Sequence, residues 1–202
     1  MLSAIKARLT DCSRPRPARP RVSSATTPVG DVDRYPASYG ADQELNDHHF
    51  HYGYFIAAAA TLAKYDPAWA SPSQYGGMVD VLIRDANNYD RNDRRFPFLR
   101  DFDIFAGHDW ASGHANFFAG NNQESSSEGM NFDAALIQFG QATNNKTIRG
   151  RDLPVRHTGR GDRGVLARQH ELELPCRLPH NTVGMVWGNG ARTRPGSPPS
   201  PR

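Results

Sequence analysis

The feature that most limits what this chain can fold into is the placement of its large apolar side chains. All 7 Tyr, all 10 Phe and two of the 3 Trp lie between Tyr35 and Phe139 of a 202-residue sequence. Burial of such side chains is what offsets the entropy of ordering a chain, so only the middle of this one is expected to build a core. Charge divides at the same places. Residues 35–148 hold 7 Lys and Arg against 14 Asp and Glu, a net −7, whereas residues 1–34 are +4 and residues 149–202 are +6. Eleven of the 15 prolines also lie outside 35–148. The expected organisation is a basic, Pro/Arg-rich disordered tail over 1–34, a folded domain over 35–148, an atypical Arg-rich segment over 149–179, a short segment over 180–191 and a second disordered tail over 192–202.

Several classes are set aside at this point. No apolar run approaches the ~20 residues of a membrane-spanning helix, and the first ten residues hold no apolar stretch of signal-peptide length. Cys12 and Cys176 are too few and too far apart for a disulfide scaffold or a cysteine-rich zinc module. The stretch Arg14–Arg21 could be a basic arm or a solvated, proline-stiffened tail. No aromatic side chains interleave with the basic ends, as a single-strand stacking platform requires, so neither nucleic acid nor membrane is expected as a partner. Oligomeric state is not written in the sequence.

Within the middle, helical signals dominate. Gly53–Tyr65 is rich in alanine, the best helix former, and Asp66-Pro67 stops it. Ser73 is placed to cap a second helix, along which Tyr75, Val79, Leu82, Ile83, Ala86 and Tyr89 recur at helical spacing. A third helix is expected from about Ser127 to Ala142, with Met130, Ala134, Ile137 and Gln141 on one side. The linker between the last two is long, aromatic and rich in Asp, His, Asn and Gly, the composition of an ordered functional loop. The fold class is therefore read as all-α, helices carrying a decorated loop.

Chemistry-bearing residues cluster in three strings at helix ends. Glu44 to Gly53 contains Asp47, His48, His49 and His51; Arg100 to Gly113 contains Asp103, His108, Asp109 and Trp110; Asn121 to Glu128 contains Glu124. Carboxylates at helix starts are often caps, and that reading suits Glu128 better than Glu124, which precedes the expected cap at Ser126 or Ser127. Carboxylates set among Trp, Tyr, His and Asn also suit glycoside hydrolysis, which needs one carboxylic acid to protonate the leaving oxygen and one carboxylate to activate water or attack the sugar. Asp47, beside Leu45 and Phe50, is a candidate for a pKa raised by desolvation. A different reading takes His49 and His51 with Asp103 or His108 as ligands of a divalent metal in a metal-dependent hydrolase, although the His-Glu-His protease spacing is absent and no Cys is near.

Taken in order, Asn46-Asp-His-His-Phe-His-Tyr-Gly-Tyr54, Phe102-Asp103 with Gly107-His-Asp-Trp-Ala-Ser-Gly113, and Asn122-Gln-Glu-Ser-Ser-Ser-Glu128 resemble glycoside hydrolase family 81, the endo-β-1,3-glucanases. The resemblance spans about Tyr35 to Thr147, and Asn181–Gly190 looks like a further family segment. It implies a fragment of a catalytic domain, a partial (α/α)6 toroid with long active-site loops. It also implies endo-hydrolysis of laminarin-type β-1,3-glucan with inversion, no metal and no cofactor. By position it implies Asp47 as general acid, Glu124 as general base and Glu128 as a second acidic group. His51, Tyr52, Asp103, His108, Trp110 and Asn122 become binding or orienting residues. The resemblance further implies an extracellular or cell-wall location, though no signal peptide is visible. Asp109 stands where the family usually has Ser, and Gly129 where it usually has Ala. The chain is far shorter than full members, so the expectation is a truncated enzyme or a non-catalytic glucan-binding or inactive fragment. Residues 149–179, the tail after Ala191 and residues 1–30 are expected to be out-of-frame coding.

Overall fold

The computed structural model describes residues 2–13, 40–106, 108–123, 125–149 and 186–188. Four helices carry most of it: α1 (Leu2–Ser13), α2 (His48–Tyr65), α3 (Gly76–Asn87) and α4 (Ser126–Ala142). Four two-residue strands complete it: β1 (Phe102–Asp103), β2 (His108–Asp109), β3 (Asn122–Gln123) and β4 (Val186–Trp187). The described chain is thus mainly helical, as its sequence indicates.

The alanine-rich α2 is buried on almost every side and forms the centre. Ile56, Ala59, Ala60, Leu62 and Ala63 are all in the core, because small side chains let neighbouring helices approach from several directions. It ends where expected: the Asp66 N–H closes the last turn on the Leu62 carbonyl at 2.8 Å and Pro67 follows. Helix α3 presents Val79, Leu82, Ile83 and Ala86 inward, as the spacing predicted. It starts at Gly76 with Tyr75 at the N-cap rather than at a Ser73 cap. A Cβ on Gly76 would fall 1.9 Å from the Ala70 carbonyl oxygen, so the turn into α3 admits only glycine.

Helix α4 turns the other way from its predicted stripe. Phe132, Ala135, Leu136 and Phe139 are buried, while Ala134, Ile137 and Gln141 face outward. Both stripes have helical spacing. The bulkier one, with two phenylalanines, buries more apolar area and takes the core.

Directions follow from contacts at the ends. Asp85 near the end of α3 meets His48, the first residue of α2, so these two helices are antiparallel. Tyr54 of α2 reaches Glu128 in the first turn of α4, and Pro67 and Phe139 share one cavity at the far end. Helices α2 and α4 therefore run in the same direction, with their N-termini side by side.

The expected disordered tail over 1–34 is corrected in its first part. Leu2–Ser13 is helix α1, with Leu9 buried and Ile5 packed against the core. Lys6 pairs with Asp66, and the Trp69 indole N–H donates to Thr10 Oγ1 at 2.9 Å. Apolar residues four apart were enough to give this segment one sticky face. The remainder of 1–34, the segment 150–179 and the tail over 192–202 lie outside the described residues.

Strands β1 and β2 pair antiparallel, Phe102 with Asp109 and Asp103 with His108. Strands β3 and β4 do likewise, Asn122 with Trp187 and Gln123 with Val186, which ties 186–188 back to the loop before α4. Among the described residues no helix is long and apolar enough to cross a membrane.

Candidate active site

The three polar strings, distant in sequence, are stitched together by one stretch of backbone. Segment 111–113 hydrogen-bonds to 45–47 on one side: Asp47 N–H donates to the Ala111 carbonyl at 2.8 Å and Gly113 N–H to the Leu45 carbonyl at 2.9 Å. The Ser112 hydroxyl adds a 2.7 Å bond to Asn46 Oδ1. On its other side stands Asn121. Its Oδ1 accepts from Ser112 N–H at 3.0 Å and its Nδ2 donates to the Ser112 carbonyl. The Ala111 N–H completes the link, donating to the Asn122 carbonyl at 2.7 Å. Within the second string the Trp110 N–H donates to the Asp101 carbonyl at 2.7 Å, and the Asp101 N–H donates to the Ala86 carbonyl at 3.1 Å, which joins that string to the end of α3. Asn121 was not singled out from sequence, yet it organises the junction.

Asp47 occupies the N-cap position of α2 without acting as a cap. Its side chain makes no capping bond, and its backbone is left-handed at φ 62°. Leu45 shares that strain at φ 52°. Non-glycine residues in this region cost of order 1 kcal/mol and persist where the surroundings impose them. Asp47 is buried, at 7% exposure. His51 follows one turn later on the same face of α2 and is half-buried. One turn further stands Tyr54, exposed, whose hydroxyl donates to Glu128 Oε1 at 3.0 Å. The Tyr54 hydroxyl is held above its ordinary pKa, first by that hydrogen bond and then by the carboxylate's charge. With α2 and α4 parallel, two positive helix ends face the same region and favour carboxylates there. Tyr54 was missed in sequence, although its seven-residue separation from Asp47 is the signal that would have found it.

Tyr52 is a correction. It lies in the hydrophobic core, 7% exposed, and its hydroxyl donates to Asp85 Oδ2 at 3.1 Å. Two residues of offset on a helix turn a side chain through about 200°, so Tyr52 and Tyr54 face opposite ways. Glu124 and Gly107 lie outside the described residues; Ser125, the next residue, is the N-cap of α4.

Beside the junction is a cleft of about 510 Å³, lined among others by Phe102, Asp103, Phe105, Trp110, His114 and Asn121. The Asp103 carboxylate is occupied by the protein itself. Its Oδ1 accepts from the N–H groups of Phe105 at 2.8 Å and Ala106 at 3.1 Å, and its Oδ2 from the Trp110 indole N–H at 3.2 Å. Burial works against its charge, but these donors and nearby His108 outweigh it and hold the carboxyl below its ordinary pKa. His108 stands behind Trp110 rather than in the cleft wall. It is buried, its Nδ1 is 2.8 Å from the Asp109 carbonyl, and its ring meets the indole edge-on at 4.4 Å. Asn122 sits half-buried in β3.

Under this surface lie two buried histidine–carboxylate systems. His48 Nδ1 is 2.7 Å from Asp85 Oδ2 and its Nε2 is 2.9 Å from the Ala41 carbonyl, so both ring nitrogens are held by hydrogen bonds. Arg100 joins Asp85 from the other side at 3.1 Å. His49 is held between Asp109, hydrogen-bonded at Nε2, and Asp101, 3.3 Å from Nδ1. Burial alone lowers its pKa, yet the carboxylates of Asp109 and Asp101 outweigh this and push it up to about 10. The carboxyl of Asp133 in α4 is pushed well up by burial, then by the charge of Asp109. This geometry dismantles the metal-ligand set of His49, His51 and Asp103 or His108. The nitrogens of His49 face carboxylates, Asp103 already accepts three donors, and among the described residues no group of three or more His, Cys, Asp or Glu is arranged to hold a metal.

A glucan endo-1,3-beta-D-glucosidase of Acetivibrio thermocellus is 51% identical over 172 residues, covering 79% of this chain and 21% of its own length. One from Thermobifida fusca is 50% identical over 163 residues, with the same coverages. A primary septum glucan endo-1,3-beta-D-glucosidase of Schizosaccharomyces pombe is 41% identical over 106 residues. Among solved structures, a mutant form of glycoside hydrolase family 81 from Clostridium thermocellum superposes with a TM-score of 0.78 at 47% identity, covering 93% of this chain and 26% of that one. This chain thus spans about a fifth of the length of these two bacterial relatives. The profile of the glycosyl hydrolase family 81 C-terminal domain matches residues 23–153, beginning inside the segment read as a tail, and the chain belongs to that family.

Proposed function

We propose that this chain carries the acid and base of an inverting endo-β-1,3-glucanase, acting on laminarin-type glucan outside the cell or at a cell wall. Asp47, as the carboxylic acid, gives its proton to the glycosidic oxygen. Glu124, as carboxylate, takes a proton from the water that attacks the anomeric carbon from the opposite face. One C–O bond breaks, one forms, and the new reducing end has inverted configuration. Glu128, hydrogen-bonded to Tyr54, is the supporting acid, and Trp110 offers a face to a sugar ring. No cofactor is invoked.

One observation carries the reading: segment 111–113 bonds to Asp47 on one side and to Asn121–Asn122 on the other, two residues before Glu124. Two backbone steps of ~5 Å each set Asn122 on the order of 10 Å from Asp47 along the backbone. The mechanism requires the two carboxyl groups to stand ~6.5–9.5 Å apart, which leaves room for a water. The run of α2, α3 and α4, with the N-termini of two parallel helices side by side, supports reading the domain as part of an (α/α)6 toroid.

The test is laminarin hydrolysis by the full 202-residue chain, read as new reducing ends. Asp47→Asn and Glu124→Gln are each expected to lower turnover at least a hundredfold while laminarin is still bound. Unchanged turnover in either overturns the assignment. The chain's coverage of about a fifth of its relatives favours a second reading, a glucan-binding fragment without turnover. Binding without product would establish that one.

A further inference from the structure

The β1–β2 hairpin carries an aromatic group that the acid and base do not use. Its turn exposes Ile104 and, almost completely, Phe105, at 94%. Both line the cleft next to Trp110. The turn is braced so that the ring stays out. Asp103 Oδ1 holds the N–H groups of Phe105 and Ala106, while Oδ2 of the same carboxylate holds the indole N–H of Trp110. A single side chain thereby fixes the backbone under one ring and the edge of another. The antiparallel register Asp103 with His108 and the edge contact of His108 hold the Trp110 ring from behind. An apolar ring left in water costs free energy unless something covers it.

We propose that Phe105 is a sugar-stacking platform at the outer rim of the cleft, taking the C–H face of a glucose residue of a β-1,3-glucan away from the scissile bond. The inference rests on the glucan reading of the cleft and extends it outward. A β-glucopyranose has an apolar face of axial C–H groups and a girdle of hydroxyls, so it needs a flat apolar surface beside hydrogen-bonding groups. Phe105 supplies the first and has no polar atom to contribute otherwise. The half-buried His114, in the cleft wall with its Nε2 2.9 Å from Glu44 Oε2, borders it on the polar side. Asp103 is a positioning residue for this platform, since its carboxylate already accepts three protein donors.

The test uses the full-length chain with Phe105→Ala, Phe105→Leu and Phe105→Tyr, measuring laminarin affinity by titration calorimetry and melting temperature in parallel. Stacking that withdraws roughly 60 Å² of ring face from water corresponds to about a tenfold change in Kd. Phe105→Ala and Phe105→Leu are expected to weaken binding by about that factor, and Phe105→Tyr, which keeps the flat face, to bind as the parent does. Melting temperatures should be unchanged, because so exposed a ring adds little to the core. Laminarin affinity undiminished in Phe105→Ala or Phe105→Leu, with the parent binding normally, overturns the platform and leaves the glucan reading standing. Failure of the parent itself to bind laminarin overturns both.

Discussion

Gly53 offers a test in which local and tertiary effects have opposite signs. It lies inside α2, where replacing Gly by Ala in an isolated helix gains about 1 kcal/mol. In the folded chain the added methyl would sit 3.0 Å from the Phe132 Cα, 3.1 Å from the Phe132 nitrogen and 3.0 Å from the Asn131 amide nitrogen of α4. Ordinary carbon contacts lie at about 3.5–4.0 Å, so roughly half an ångström or more must be found. The Asn131 side chain can swing away. The α4 backbone cannot move so easily, because Phe132 is fully buried with its ring edge-on to His49 at 6.0 Å. Overpacking of this kind costs about 1–3 kcal/mol, which exceeds the propensity gain for most of that range. The expected net is a loss of about 1 kcal/mol, or a melting temperature lower by about 4–8 °C for a domain of this size. Thermal unfolding followed by circular dichroism measures it. A Gly53→Ala variant that melts higher than the parent would show that α2 and α4 are not in backbone contact there.

The buried His49–Asp133 cluster predicts alkaline sensitivity. Both folded-state pKa values are raised, to about 10 for His49 against an ordinary 6.5, so the native state binds more protons than the unfolded one. The His49 contribution is fully present below pH 6.5 and is lost as pH rises towards 10, at up to about 1.4 kcal/mol per pH unit. Urea midpoints that stay level across this range would refute it. Asp133→Asn keeps the shape without the ionisable group and should flatten the part of that fall due to Asp133, seen in the same titration. Asp85→Asn should destabilise by about 3–5 kcal/mol, since it leaves the Arg100 charge buried without its carboxylate; a denaturant midpoint close to the parent's would count against that network.

Much of this protein is written locally. Helical spacing, the alanine run and the Asp66-Pro67 stop located α2, α3 and α4 from neighbours a few residues apart, because a helix is built from contacts within one or two turns. The three polar strings were legible for the same reason, each being contiguous. Tertiary contacts decided the rest. The side of α4 that turns inward depended on which stripe could fill the space beside α2. Whether Tyr52 or Tyr54 faced the site depended on where α3 and its Asp85 lay. Helix α1 formed against Trp69 and Asp66, residues about sixty positions away. The junction at 111–113 rests on single hydrogen bonds across 66 residues, such as Ser112 to Asn46, and on one- or two-residue strands too short to leave any periodicity. A sequence can announce which side chains are chemically capable. Their meeting depends on long-range backbone bonds whose partners no local pattern encodes.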